Sequence, residues 1–311
     1  MTRPPRSPHF RLQRVAPGVH VAIASLDGAG LCNAGIVDLG GATLVFDSML
    51  TPAAGADLAR AALRLTGRRA AWVVNSHWHG DHIWGNGAFP TSHVVSSRLV
   101  RLTIRRRSRR QFDLDRHEFR RRRDDGNRFG DGLSEVDRRT LLGWSRGLLG
   151  APPRMPIVAP DVTFSEELNL EGSRRQARLI TYGGGHSPSD VFAYLPDDGL
   201  LLVGDLSNSG MHPSVSDGDP RSWARILQRI DRLSSDSVLP GHGPFGPRSM
   251  LASTRRYLEY LDRIARTAVR RRAALRELLG RPLPREFRDW NFRMMYPGNV
   301  RRAFQLARRS P

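Results

Sequence analysis

Between positions 75 and 82 the chain reads Asn75-Ser76-His77-Trp78-His79-Gly80-Asp81-His82, three imidazoles and a carboxylate within six residues. Imidazole nitrogen and carboxylate oxygen are donors that zinc takes at about 2 Å, and a catalytic zinc site keeps one position open for water. His77 and His79 are two apart, so on an extended segment they point the same way, while Asp81 and His82 can turn toward a neighbouring ion. Gly183-Gly184-Gly185-His186-Ser187, Leu202-Val203-Gly204-Asp205 and Pro240-Gly241-His242-Gly243 have a similar setting, each a polar ligand beside glycine after an apolar stretch. Alone, a Gly-His or Gly-Asp of this kind is more often a turn than a ligand. Of the ten histidines, however, five fall in these four segments, and that clustering is what a metal site predicts. The one cysteine, Cys32, lacks a partner for a disulfide or a thiolate zinc site, so His and carboxylate must do the holding.

Such residues need rigid elements behind them. Short strands are predicted at 18–23, 34–38 and 42–47, with Gly-rich breaks between. Leu58, Ala61, Ala62 and Leu65 recur at helical spacing within 52–66, and Gly67 closes that helix. The apolar run 70–74 reads as a buried strand emptying into the histidine-rich loop, and 177–181, 191–195, 200–203 and 237–239 repeat the theme. Two β-rich halves that each carry helices favour a layered α/β architecture. The stretch 101–153, with Arg105-Arg106-Arg107 and Arg120-Arg121-Arg122-Arg123, is expected to be a solvated helical insertion or a lid. Positions 249–279 carry one apolar stripe and predict a long amphipathic helix, and Trp290, Phe292, Met294, Met295 and Tyr296 suit a tail that covers the domain.

The formal net charge is +19, from 49 basic and 30 acidic residues, and every one of the basic residues is arginine. Complete exclusion of lysine beside abundant Ala and Gly reads as compositional bias more than as a surface selected for nucleic acid. No apolar run approaches the roughly 18–20 residues that cross a bilayer, which excludes a transmembrane helix and a membrane role. Met1-Thr2-Arg3-Pro4-Pro5-Arg6 is basic but leads into no apolar stretch of secretory type, so a cytoplasmic location is expected. Oligomeric state leaves no mark on the sequence.

His77-Trp78-His79-Gly80-Asp81-His82, then His186, Asp205 and His242 in that order, resemble the metallo-β-lactamase superfamily over about residues 15–250. The resemblance implies an α/β fold, the αβ/βα four-layer sandwich, with a helical insertion at about 101–153 and a helical C-terminal extension, 251–311, packed on the domain. It implies two zinc ions per chain, iron or manganese being the alternatives. His77, His79 and His186 would hold one, Asp81, His82 and His242 the other, and Asp205 would bridge them. Asp47 matches the family's first-motif Asp and is expected to orient rather than ligate. True zinc β-lactamases carry Cys or Ser where this chain has Asp205, whereas glyoxalase II-like hydrolases, lactonases and tRNA-maturing ribonucleases have Asp, so antibiotic hydrolysis is not the default. The stretches 186–196 and 211–220 look like those of generic bacterial hydrolases.

A metal pair of this kind lowers the pKa of a shared water and supplies hydroxide near neutral pH. The leading expectation is therefore hydrolysis of an ester, thioester or lactone carbonyl in a small molecule, anionic ones included. Asp81 would orient the nucleophile and His212 would act as proton donor or anion binder, with a satisfied loop histidine as the plainer reading of His212. No Gly-x-Ser-x-Gly elbow offers a serine alternative. A nuclease or phosphodiesterase is the second expectation, motivated by the arginines, although only 37 positions separate Asp205 from His242, too few for the large inserted domain of many nucleic-acid-processing branches. A mononuclear iron sulfur dioxygenase is the third. A non-catalytic metal-binding protein is the fourth, and no glutathione-contacting motif is recognisable in 249–311.

Overall fold

The computed structural model describes residues 5–126, 129 and 132–309. The basic stretch Met1 to Pro4 and the end of the tail, Ser310 and Pro311, lie outside them. Seven strands form the first sheet in sequence order: β1 (Phe10–Ala16), β2 (Val19–Ala24), β3 (Ala34–Asp38), β4 (Thr43–Phe46), β5 (Trp72–Val74), β6 (His93–Ser97) and β7 (Val162–Phe164). The first four are antiparallel and the last four run parallel from β4 onward. The second sheet contains β8 (Glu167–Glu171), β9 (Gln176–Thr181), β10 (Val191–Leu195), β11 (Leu200–Asn208), β12 (Ser237–His242) and β13 (Gly246–Pro247), in the order β13-β12-β11-β10-β9-β8. Its one parallel pair, β11 with β12, sets Gly204 beside Pro240 and Asn208 beside His242, which brings Asp205 and His242 together.

Alternation along the strands sorts side chains into layers. Leu200 and Leu202 of β11 enter a core between the sheets with Val37, Leu44, Phe46 and Leu179, while Leu201 and Val203 face the other way. On that outer face lie α5 (Pro220–Ile230) and α6 (Ser249–Arg270), with Trp223, Leu258 and Leu261 buried. The outer face of the first sheet, Ile36, Val45 and Val73, receives Leu58, Ala61 and Ala62 of α1 (Pro52–Thr66). The architecture is therefore the αβ/βα sandwich. Helix α1 has the limits expected of its sequence because its ends are coded locally: the Thr51 hydroxyl accepts from Ala54 N at 3.2 Å, Pro52 opens the first turn, and Gly67 closes it at φ +74°.

The insertion folds as α3 (Arg98–Asp124) and α4 (Glu135–Gly150), after the single-turn α2 (Gly80–Ile83). Val100, Ile104, Phe112 and Phe119 of α3 and Leu148 of α4 form a separate apolar cluster with Trp78, Ile83 and Trp84, so the insertion is packed directly on the histidine-rich loop. The expected long helix 249–279 is instead two: α6 ends at Arg270, Arg272 turns at φ +54°, and α7 (Leu275–Leu279) follows. Then come α8 (Arg285–Arg288) and α9 (Tyr296–Arg309), and Tyr296, Val300, Ala303 and Ala307 of α9 join the core of the second sheet's outer face. No helix among the described residues is long and apolar enough to cross a membrane.

Candidate metal centre

All seven predicted ligands meet at one end of the sandwich. His77 leaves β5 in the extended loop, His79 caps α2, and Asp81 and His82 sit in its single turn. His186 follows β9, Asp205 lies within β11, which runs on to Asn208 rather than ending at the carboxylate, and His242 is the last residue of β12. His77 Nε2 and His186 Nε2 approach His79 Nδ1 to 3.0 and 2.9 Å. Asp205 faces both ways: Oδ2 is 3.5 Å from His186 Nε2, and Oδ1 is 3.2 Å from His82 Nε2 and 3.3 Å from His242 Nε2. Asp81 Oδ2 completes the second group, 3.4 Å from His82 Nε2 and 3.3 Å from His242 Nε2. Ligand atoms of His77, His79 and His186, of His77, His82 and Asp205, and of Asp81, His82 and His242 each lie within 4.8 Å of one another.

The outer nitrogens fix which lone pairs point inward. His186 Nδ1 donates to Ser214 O at 3.2 Å and His242 Nδ1 to Leu31 O at 3.1 Å. Asp47 Oδ2 accepts from His82 Nδ1 at 2.7 Å and from the Ser76 hydroxyl at 2.8 Å, and its Oδ1 accepts from Ser76 N at 2.8 Å. With its proton committed to Asp47, Ser76 Oγ is left to accept from His77 Nδ1 at 2.9 Å. Nδ1 of His77, His82, His186 and His242 is in each case tied to an outer acceptor, so all four rings turn Nε2 to the centre, the orientation a metal ligand needs. Asp47 thus orients, as its motif position implied, and it does so at φ +59°, a left-handed conformation that a non-glycine residue adopts at a cost.

Several features fit a bound cation. His82 Nε2 and Asp205 Oδ1 are buried without a hydrogen-bond partner although they face each other. Two imidazole nitrogens crowd His79 Nδ1, which has at most one proton to share between them. Burial, with His82, His79 and His186 nearby, holds His77 well below the usual imidazole range, and burial pushes His186 down to about 3, so both are neutral. Against burial, the imidazoles of His242 and His82 keep Asp205 ionised, and those of His82 and His242 do the same for Asp81. Burial also opposes charge on His242, yet Asp205 and Asp81 push it up to about 10: the second group recruits positive charge. Cys32 is buried, and burial pushes its thiol up to about 12. Gly241 is required at its position, since a Cβ there would stand 1.9 Å from Asp205 Oδ1.

The cluster forms the floor of a cavity of about 620 Å³. Trp78, Trp84, Trp144 and Leu114 give it an apolar wall, and Arg106, Arg107 and Arg110 project from α3. The run 105–107 therefore does not act as a unit, because a helix turns consecutive residues to different sides; Arg110 replaces Arg105. Arg107 is committed to Asp217 at 3.1 Å, and Trp78 Nε1 donates to the same carboxylate at 2.8 Å. Arg106 and Arg110 have no carboxylate partner among the described residues, whereas Arg121 and Arg122 pair with Glu118 and Arg123 with Asp124 on the solvated face. His212 lines the cavity but is not drawn into the metal cluster. Its ring packs among Tyr257, Trp290 and Tyr296, with Nδ1 3.1 Å from the Tyr257 hydroxyl, and burial pushes it down to about 4. Asp190 went unassigned in the sequence: buried, it accepts from the backbone of Gly185, His186 and Ser187 at 2.8–3.1 Å and so shapes the loop carrying His186. Its position four residues after that histidine, in a Ser-Pro-Ser turn, is the signal that could have marked it.

Comparison with known proteins agrees with this geometry. Residues 27–242, more than two thirds of the chain, match the family model described as the metallo-beta-lactamase superfamily. Among curated proteins, a linear primary-alkylsulfatase from Pseudomonas sp. (strain ATCC 19151) is 26% identical over 181 residues, 55% of this chain and 34% of that one. A metallo-beta-lactamase type 2 from Bacteroides fragilis is 24% identical over 140 residues, 42% of this chain and 55% of that one. The aligned stretches thus span about a third and about half of those relatives. Among solved structures, a stereoselective inverting sec-alkylsulfatase from Pseudomonas sp. matches with TM-score 0.73 at 19% identity over 96% of this chain and 50% of that one. A metallo-beta-lactamase from Pontibacter korlensis matches with TM-score 0.59 at 19% identity over 80% of this chain and 99% of that one.

Proposed function

This chain belongs to the metallo-β-lactamase superfamily of hydrolases, and from that premise we propose that it is a binuclear zinc hydrolase acting on a small anionic molecule at an ester, thioester or lactone carbonyl. The observation that carries the reading is Asp205, whose two oxygens divide between two groups of imidazole nitrogens on the floor of the cavity. His77, His79 and His186 would hold one ion, Asp81, His82 and His242 the other, with Asp205 between. When bound, such a pair supplies a nucleophilic water at neutral pH and polarises the reacting oxygen. Asp81 lines the cavity and engages His82 and His242 through Oδ2, which leaves Oδ1 to accept a hydrogen bond from the attacking water and orient it. Trp78, Trp84 and Trp144 exclude water around the apolar part of the substrate, and Arg106 and Arg110 meet its anionic group. Because Tyr257 holds its Nδ1, the neutral His212 ring carries its proton on Nε2, which has no hydrogen-bond partner among the described residues and can donate to an anionic group in the cavity.

A second reading, hydrolysis of an alkyl sulfate ester, is favoured by the alkylsulfatase similarity together with Arg106 and Arg110, which have no carboxylate partner among the described residues and stand beside an apolar wall. Elemental analysis of purified protein decides first, paired with a hydrolysis screen of thioesters, lactones, β-lactams, alkyl sulfates and bis-p-nitrophenyl phosphate. About two zincs per chain with carbonyl turnover lost on chelation is the expected result. Turnover confined to alkyl sulfates selects the second reading, and turnover of the phosphodiester alone a phosphodiesterase. One iron per chain with no hydrolysis overturns both readings in favour of sulfur oxidation.

A further inference from the structure

The acceptor that fixes His186 is a backbone carbonyl, Ser214 O, in the connection between β11 and α5. Such a connection has no ladder of its own, so the direction of that carbonyl must be set from elsewhere. Asn299 of α9 sets it. Its Nδ2 donates to Pro213 O at 2.7 Å and its Oδ1 accepts from Val215 N at 2.9 Å, so a single carboxamide grips the chain on both sides of Ser214. A backbone acceptor at one end and a backbone donor at the other leave the amide one orientation. The second Nδ2 proton goes to the Tyr257 hydroxyl of α6 at 3.0 Å. Tyr257 in turn has its own proton for His212 Nδ1, and His212 N donates to Asn291 O at 2.9 Å. Asn299 is only 3% exposed, and both of its N–H groups and its oxygen are hydrogen-bonded.

We propose that Asn299 is a positioning residue for the His77, His79 and His186 group. By holding Ser214 O in place it keeps the proton of His186 on Nδ1 and the lone pair of Nε2 aimed at the metal. Asn299 lies beyond the stretch 27–242 that the family model covers, so the C-terminal helices become part of this chain's metal centre. The inference rests on the metal-binding reading above.

The test is the release of zinc from the full-length loaded protein to a chromogenic chelator. Asn299→Leu removes the grip, and one of the two ions is expected to leave up to roughly 10-fold faster, the low end of the cost of losing a direct outer partner because Ser214 O itself remains, while the other keeps its rate. Asn299→Asp keeps an acceptor for Val215 N but loses the donor to Pro213 O, so its effect has the same direction and serves if the leucine variant does not fold. Tyr257→Phe leaves both contacts around Ser214 intact and is expected to release both ions at the wild-type rates. Wild-type release from both Asn299 variants overturns the proposal, as does equal acceleration of both ions, which marks general loosening. Wild-type protein that holds no zinc sinks the function proposed above and this inference with it; two firmly held zincs and indifferent Asn299 variants sink the inference alone.

Discussion

The floor and the helical wall of the cavity are built on opposite terms. On the floor, His77, His82, His186 and His242 each have the outer ring nitrogen tied to a named protein acceptor, and the seven predicted ligands sit in strands, in the loops that follow them or in the turn of α2. On the α3 wall, Arg106 and Arg110 are exposed and without a carboxylate partner among the described residues, while Arg107 beside them is anchored to Asp217. Chemistry at a metal needs atoms held to a fraction of an ångström, whereas recognition of an anion tolerates a mobile guanidinium. Substitutions on the two sides should therefore differ in kind: floor variants lose metal and turnover, and wall variants shift KM.

The largest effect belongs to Asp205→Ala. It removes the one side chain shared by both groups, and metal activation is worth several kcal/mol, so kcat/KM should fall by roughly 10³-fold or more, with zinc content reduced. Asp81→Ala and His186→Ala should behave alike. Wild-type turnover by any of the three would break the assignment of the floor. Next comes Asp47→Ala, which touches no substrate but frees His82 Nδ1 and Ser76 together; zinc affinity should drop roughly 10–100-fold. A loss of stability with unchanged zinc affinity would reduce Asp47 to a structural role.

The same contrast explains what the sequence could reveal. The convergence of the seven predicted ligands was legible because a metal site would concentrate rare residue types, and Gly204 and Gly241 beside them mark close backbone approach. Helix α1 was legible because Thr51, Pro52 and Gly67 are local signals. The break after Arg270 was not, since the apolar stripe continues through Leu275 and Leu278 and only the backbone reverses at Arg272. Strands β1 and β8, whose side chains are largely exposed or half-buried, carry too little apolar alternation to stand out. Least legible was what holds the histidines. Leu31 O and Ser214 O are main-chain atoms that any residue type could supply, and Asn299 reaches the site from the far end of the chain.

On the wall, replacing Arg106 and Arg110 together by Gln should raise KM for an anionic substrate about tenfold and flatten its dependence on salt, with kcat nearly unchanged. Hydrogen bonds to a charged group contribute about 1.5–3 kcal/mol, reduced at exposed positions by solvent screening. Arg105→Gln, on the same run but outside the cavity lining, should do nothing. If the two substitutions gave equal effects, the charge of the insertion as a whole would matter rather than the cavity face.

The smallest effect concerns Asp115, the acid of α3 in the cavity lining, which accepts from Gln111 Nε2 at 2.7 Å. Burial, with Asp81 adding to it, pushes its carboxyl up to about 6. Below that pH it is neutral and leaves the field of Arg106 and Arg110 undiminished; above it, a negative charge joins the wall. An interaction of about 1 kcal/mol changes binding roughly fivefold, so KM for an anionic substrate should rise by up to that factor as pH climbs through about 6, while a neutral ester shows no such rise. The sign for stability runs the same way. The folded-state pKa is raised, so the associated stability is present below the ordinary carboxylate range and lost as pH rises through about 6. Asp115→Asn should therefore flatten the KM profile and stabilise the protein at pH 7.5 but not at pH 4. Thermal unfolding at those two pH values separates this from a contact effect: an asparagine variant equally altered at both would mean that Asp115 acts through its bond to Gln111 and not through its charge.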